Sequence, residues 1–304
     1  MLFPIFAMKI LIFALFAMAY NLIFGYVGLL AFGHAAFYGT SSYVAAHSAS
    51  VLGWPPELCV LAGVSAATAI GALFGWLAIR RQGLYFAMIT LALAQIIYFY
   101  ALQASWTHGE DGIQSVPRGM LFGVIDLSNE MTMYFVTLAV FMGAFALIYR
   151  IIHSPFGQVL KSIRENEDRS ISLGYSTNRF KLIAFTLSAM LAGLAGGMKA
   201  MVFQIASLMD VFFMTSADAL LMTLIGGVGT LLGPIVGAAV VVTLQTKLAT
   251  FGAWVVVIQG AIFVLSVLFL RKGIVGTLEE YLANRKARRE NVQILPEKAV
   301  EPGE

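Results

Sequence analysis

Cysteine is all but missing from this chain. The single Cys59 excludes an internal disulfide and says nothing of redox compartment. Charge is nearly as scarce: of 304 residues only 12% are Asp, Glu, Lys or Arg, while 60% are hydrophobic and 29 are Gly. That balance excludes an ordinary soluble domain and points to a chain that crosses a membrane many times, with lipid as its solvent. The net charge of +3 is not a nucleic-acid signal, because the positive residues follow topology rather than one exposed face.

Several motifs are missing too. No G-x-x-x-x-G-K-[ST] occurs, so the chain does not hydrolyse nucleotide through a P-loop, and an energy source has to be supplied from outside. H-E-x-x-H and G-x-S-x-G are absent, which leaves an enzyme reading without a motif and with no catalytic residue or cofactor to assign. His108, Glu110 and Asp111 could gather at a metal, but Gly109 and Gly112 mark a turn and no second ligand cluster exists, so they read as turn residues. An ion-driven carrier would place carboxylates deep in the bilayer. Asp210 and Asp218 fall near the outer end of their span instead, and Lys199, also near that end, is a candidate partner for one of them.

What is present is a succession of apolar runs, each close to the length of about 20 residues that a bilayer core takes as helix. Spans are expected at 3–24, 28–50, 58–79, 84–103, about 131–150 and about 182–201. The first carries Lys9 and is too long for the core of a signal peptide, so it reads as a retained span. Of the 19 Lys and Arg, all but Lys9, Arg118, Lys199 and Lys247 fall at 80–81, in 150–181 or in the C-terminal tail, which puts those three regions on the cytosolic side. An even number of crossings then has to separate residue 181 from Arg271, so 212–249 should split in two at the glycine-rich 226–234. The expected architecture is an all-α, polytopic transmembrane helical bundle of about eight to ten spans, nine in the simplest count. Its permease domain covers 1–275, with a cytosolic loop at 153–181, and a cytosolic tail covers 276–304.

The loop is the one long charged passage with apolar runs on both sides. Ser154 suits a helix N-cap, Pro155 the first helical position and Gly174 the left-handed stop. Phe156, Val159, Leu160, Ile163 and Ile171 recur at helical spacing, while Lys161 with Glu165, Arg164 with Asp168 and Glu165 with Arg169 fall four apart. It reads either as a short amphipathic helix held at a membrane surface or against a partner, or as a solvated connecting helix.

The second span should be the most constrained. Gly28, Ala31, Ala35, Gly39, Ser42 and Ala46 step by three or four and form a stripe of small side chains that lets neighbouring backbones approach, so this helix should sit centrally. His34, Thr40 and His47 add polar atoms at membrane depth. For His34 a hydrogen-bonded interior histidine and a proton relay are both open, the former favoured. G-x-V-G-x-L occurs at 25–30 and again at 226–231, each at an expected cytosolic turn, a faint sign of duplication.

Five runs taken in order, YNLIFGYVGLLAFGHAAFYGTSSYVAA, GLYFAMITLALAQ, THGEDGIQSVP, SPFGQVLKSIRENEDRSISLGYSTNRFKLIAFTLSAMLAGLAGG and LLMTLIGGVGTLLGPIVGAA, resemble the LivM-like permeases of branched-chain amino acid ABC importers, over residues 20–270. The resemblance implies a type II ABC importer-like bundle, of the kind seen in vitamin B12 and ribose importers, in the bacterial cytoplasmic (inner) membrane. It implies as partners a homologous LivH-like permease, two cytosolic ABC ATPase subunits and a periplasmic solute-binding protein. Gly157, Arg164, Glu165, Asn166, Glu167 and Gly174 fall on the motif positions of the ATPase-coupling helix. Gly33, His34 and Ala35 match the G-H-A run that lines or packs beside the translocation path, with Gly39 and Thr40 following on the same segment. THGEDG departs from the family's usual T-G-G-S-D-G at His108 and Glu110. Related permeases carry urea, short amides and other small organic solutes, so the resemblance leaves the solute open.

Overall fold

The computed structural model describes residues 2–81, 83–248, 257–258, 260–261, 264 and 273–277. Eleven α-helices account for most of them. Helices α1 (Leu2–Phe24), α3 (Pro56–Ala78), α4 (Leu84–Gln103), α5 (Glu130–His153) and α8 (Thr177–Phe203) are long and apolar enough to cross a bilayer. Each matches an expected span with ends shifted by a few residues. The ends have local causes. Pro56 occupies the first turn of α3, and the Asn129 side chain caps α5 by accepting from the Met131 N–H. Arg150 and His153 lie in the last turn of α5, where cations complement the helix dipole.

The region 212–249 divides as its glycines predict, into the shorter α10 (Phe213–Gly226) and α11 (Gly233–Leu248). The further crossing that a count of nine requires, and the tail from 278 on, lie outside the described residues. On α3, α4 and α5 large apolar side chains such as Leu61, Leu73, Met88, Ile96, Phe135 and Met142 are exposed, an outward apolar surface suited to lipid.

Helix α2 (His34–Ser50) differs from expectation at its start. Residues 28–33 are not helical: Gly28 takes φ +82°, and Gly33 lies so close to α4 that a methyl there would sit 2.7 Å from the Thr90 carbonyl oxygen. The small-residue stripe therefore loses Gly28 and Ala31, and its remainder does what was expected. Helix α2 packs against α3, α4, α8 and α10 and against the short α9 (Leu208–Val211). With α8 the approach is backbone on backbone, since a methyl at Gly196 would fall 1.9 Å from the Tyr38 carbonyl oxygen. Along α3 and α8 Gly193 receives the Ala67 methyl and Gly71 the Ala189 methyl, each too close to leave room for a side chain on the glycine. The core is thus a tight α2–α3–α8 group with α1 against α8 and the α10–α11 pair against α1.

Two short strand pairs sit at the end of the bundle where α4 ends and α5 begins. Ile113–Gln114 pairs antiparallel with Ile205–Ala206, and Met120–Leu121 with Ile125–Asp126. The first pair straps the 104–129 loop to the C-terminal end of α8. Within that loop His108, Gly109 and Gly112 all have positive φ, so THGEDG is a tight turn.

Candidate functional site

The charged passage forms α6 (Pro155–Glu165) and α7 (Glu167–Ser172). Ser154 caps α6, its Oγ accepting from the Gly157 N–H at 3.3 Å and donating to the Ile151 carbonyl at 2.6 Å. Gly157 is buried, and a methyl there would stand 2.3 Å from the Ile152 carbonyl oxygen, so only glycine permits so sharp a turn out of α5. Val159, Leu160 and Ile163 are buried, and Phe156 stacks on Phe180 of α8 with ring centroids 5.6 Å apart.

The single helix expected from Ser154 to Gly174 is broken at Asn166. Its backbone is extended (φ −158°, ψ 105°), and its Oδ1 accepts from the Arg169 N–H at 2.9 Å, so it caps α7 instead of continuing α6. Gly174, at φ +88°, ends the passage as expected. The break redirects the charges. None of the three four-apart pairs forms. Glu167 pairs with Lys181 of α8 at 2.5 Å, where the lysine side chain is only 3% exposed, and the Ser162 and Ser170 hydroxyls bridge α6 to α7 at 2.9 Å. Glu165 and Asn166 are exposed.

Arg164 turns back toward the bundle. Its guanidinium donates to the Gly25 carbonyl, and its aliphatic stem packs beside Gly28, where a methyl would meet Cγ at 3.3 Å. A methyl on Gly229 would lie 2.5 Å from the same guanidinium. The arginine thus sits over both glycine turns, the α1–α2 turn and the α10–α11 turn. Lys161, one turn earlier, places Nζ 5.9 Å above the Tyr26 ring.

Beneath Arg164 the two turns are joined by Asn21, which no motif in the sequence marks. It is 2% exposed, donates from Nδ2 to the Thr230 carbonyl at 2.8 Å and accepts on Oδ1 from the Gly229 N–H at 3.0 Å. One side chain of α1 therefore satisfies the donor and the acceptor of the other turn. The signal was available: Asn21 is the one carboxamide in the first span, and a polar group at that depth needs a partner.

The opposite end holds a second polar cluster. Lys199 of α8 pairs with Asp210 of α9 at 2.6 Å and donates to the Ile205 carbonyl at 2.9 Å. Asp210 also accepts from the Ser42 hydroxyl of α2 at 3.2 Å and from the Ser207 N–H at 3.0 Å. Arg118 from the 104–129 loop donates to the Val202 carbonyl at 2.9 Å. Loop, α2, α8 and α9 are thereby tied together.

Between the two ends lies the start of α2. His34 is fully buried, with Nε2 2.7 Å from the Ser188 hydroxyl, which donates in turn to the Ala19 carbonyl at 2.5 Å. Tyr20, Phe37 and Phe185 meet its ring edge-on. The Ala35 N–H donates to the Ser216 hydroxyl at 2.7 Å. Gly33, His34, Ala35 and Gly39 are all enclosed by this chain's own helices, and a methyl on Gly39 would strike Val211. Thr40 is half-buried and donates to the Ala36 carbonyl. With Val44 and His47 it makes up the accessible face of α2, at helical spacing.

A model of the family described as the branched-chain amino acid transport system / permease component matches residues 3–267. The chain is 28% identical over 288 aligned positions to the high-affinity branched-chain amino acid transport system permease protein LivM of Escherichia coli, covering 87% of this chain and 68% of that one. It is 23% identical to the LivH permease protein of the same system in E. coli, over 88% of this chain and 92% of that one. A shorter match, 28% identical over 195 positions, reaches the autoinducer 2 import system permease protein LsrC of Klebsiella pneumoniae. No solved structure matches. The chain belongs to the branched-chain amino acid transport permease family: it is a multi-pass membrane protein and the permease component of a solute transport system.

Proposed function

We propose that this chain is the membrane permease subunit of an ATP-driven importer for branched-chain or related small amino acids, working in a bacterial inner membrane with the α6 end toward the cytosol. The observation that carries the reading is the α6–α7 element. It is capped at both helix starts, charged outward, apolar inward, and fixed by Arg164 and by Glu167–Lys181 to a core whose sequence has no P-loop. Two ATPase subunits that close on ATP can move membrane helices only through a rigid element attached to both, and α6–α7 meets that need.

Exposed Glu165 and Asn166, with Asp168 and Arg169 beside them, form the surface offered to an ATPase. Arg164 and Glu167 instead hold the element to the bundle, and Gly157 and Gly174 set where it starts and stops. Similarity to both LivM and LivH supports pairing with a homologous second permease, and a periplasmic binding protein delivers the solute. Gly33, His34, Ala35 and Gly39 pack beside the solute path. If α2 lines it, Thr40, Val44 and His47 are the residues that do so.

Co-expression with the ATPase and partner genes tests this. The chain should retain the ATPase on purification, and charge reversal at Glu165 and Asp168 should release it. Reconstituted uptake of leucine, isoleucine or valine should need ATP and binding protein; uptake by the chain alone under an ion gradient would replace this reading with a secondary carrier.

A further inference from the structure

At the cytosolic end of the α3–α8 contact a crevice of about 240 Å³ opens on the bundle surface. Trp76, Ile79 and Arg80 line it from α3 and the turn after it, and Asn178, Arg179 and Leu182 from α8. Gly75 forms its floor, where a methyl would come within 2.8 Å of Leu182, so α3 and α8 touch there and the crevice closes at the bottom. Trp76 is 56% exposed, and Arg80 holds its guanidinium carbon 5.3 Å above that ring.

Three features of this crevice agree on one class of ligand. No carboxylate lines it, and neither Arg80 nor Arg179 joins an ion pair among the described residues, so two cations face outward unneutralised. The walls below them are apolar, which suits a hydrocarbon chain and not a soluble anion alone. An exposed Trp with an Arg over it at the mouth of a spanning helix marks the headgroup level. Basic pockets between spanning helices on the cytosolic side bind anionic headgroups, and the arginine stems cover apolar surface while their charges reach the phosphate.

We infer that Trp76, Arg80 and Arg179 form a binding site for an anionic phospholipid of the inner leaflet, its phosphate between the two guanidinium groups and its first acyl carbons against Ile79 and Leu182. The inference takes from the proposed function only which end faces the cytosol. The site also has a mechanical place: Arg179 lies in the first turn of α8, two residues before Lys181, which anchors Glu167. A lipid held there would steady the root of the α6–α7 element.

Native mass spectrometry of the intact chain in detergent, with phosphatidylglycerol or phosphatidylcholine added, tests the site without any transport assay. A single phosphatidylglycerol adduct should survive at collision energies that strip phosphatidylcholine. Arg80→Gln with Arg179→Gln should weaken it about thirtyfold, the effect of two interfacial charges. Leu182→Trp, which fills the crevice and keeps both arginines, should lose the adduct as well, so the result does not hang on one variant's folding. Equal retention of both lipids, or an adduct unchanged in both variants, would overturn the site. Displacement by soluble glycerophosphoglycerol at concentrations near that of the lipid would also overturn it, showing a site for a phosphate ester and not for a membrane lipid.

Discussion

The two ends of the bundle solve the same problem with different chemistry. At each, several helix ends and a loop are drawn together by polar groups. At the α9 end the tie is a charge pair, Lys199 with Asp210, whose side chains are 11% and 9% exposed and which gathers in Ser42, Ser207 and the Ile205 carbonyl. At the α6 end a neutral carboxamide, Asn21, and backbone carbonyls join the two glycine turns, while the charge pair there, Glu167 with Lys181, ties α7 to α8 instead. The cations over those turns, Arg164 and Lys161, come from the separate helix α6. A pair of opposite charges withdrawn from water is costly to separate, since either partner is left uncompensated. An exposed arginine on a carbonyl loses little when it lets go, because water replaces the bond. The Lys199–Asp210 cluster is therefore the costlier to open, and the Arg164 contact over the glycine turns the cheaper.

The largest effect should come from breaking the Lys199–Asp210 pair. Asp210→Ala leaves Lys199 with a single carbonyl and should destabilise the folded chain by about 3–5 kcal/mol. This would be measured as a lowered thermal midpoint in detergent. Lys199→Met with Asp210→Leu should restore part of the loss, because no orphaned charge remains although the Ser42 hydroxyl and the Ser207 N–H still lose their acceptor. If the single and double variants fall equally, the ion pair is not what holds that end.

Asn21→Ala ranks next. It leaves the Gly229 N–H and the Thr230 carbonyl without their partners and should cost about 2 kcal/mol. Asn21→Asp should not rescue it, since a carboxylate accepts from Gly229 but has nothing to donate to Thr230.

These two positions also show how far the sequence could be read. The long spans are legible because bilayer thickness sets their length and lipid sets their composition, so α1, α3, α4, α5 and α8 emerge from apolar runs alone. Lys199 and Asp210 stand out as charges in such runs, and their pairing is one of few arrangements a membrane tolerates. The break at Asn166 was hidden, because R-E-N-E keeps helical spacing through it and only the direction of the Asn side chain reveals a cap. The true start of α2 at His34 was hidden too. A stripe of small residues runs through Gly28 and Ala31, and nothing in the pattern shows that Gly33 faces the Thr90 carbonyl. Arg164 was read from its motif position as part of the ATPase-facing element, and which way it points depends on two turns 139 positions and more than 60 positions away in sequence.

Arg164→Gln should separate holding from pushing. Its guanidinium lies on an exposed side chain, so stability should move by no more than about 1 kcal/mol. Uptake coupled to ATP should nevertheless fall about tenfold, within the range of coupling carried by single side chains. The ATPase should still co-purify, because Glu165 and Asn166 remain outside. Arg164→Lys, which keeps the charge and can still reach a carbonyl, should recover part of the uptake. A variant that loses the ATPase instead would place Arg164 in the docking surface and remove the distinction between the two ends.

The smallest effect should arise at Asn166. Replacing it with Ala removes the side-chain acceptor for the Arg169 N–H and should cost about 1 kcal/mol, whereas Gly should cost only a few tenths. Six residues of α7 have little helical stability of their own, so this loss falls on one segment and not on the bundle. Amide exchange would show it as faster exchange in 167–173 with α6 and α8 unchanged, because Ser154 still caps α6 and Lys181 still holds Glu167. Exchange that also quickens at Gly229, whose N–H rests on Asn21 and not on α7, would mean that α7 and the glycine turns open together. The α6 end would then be one cooperative unit, like the α9 end, and α7 would not be a separable segment.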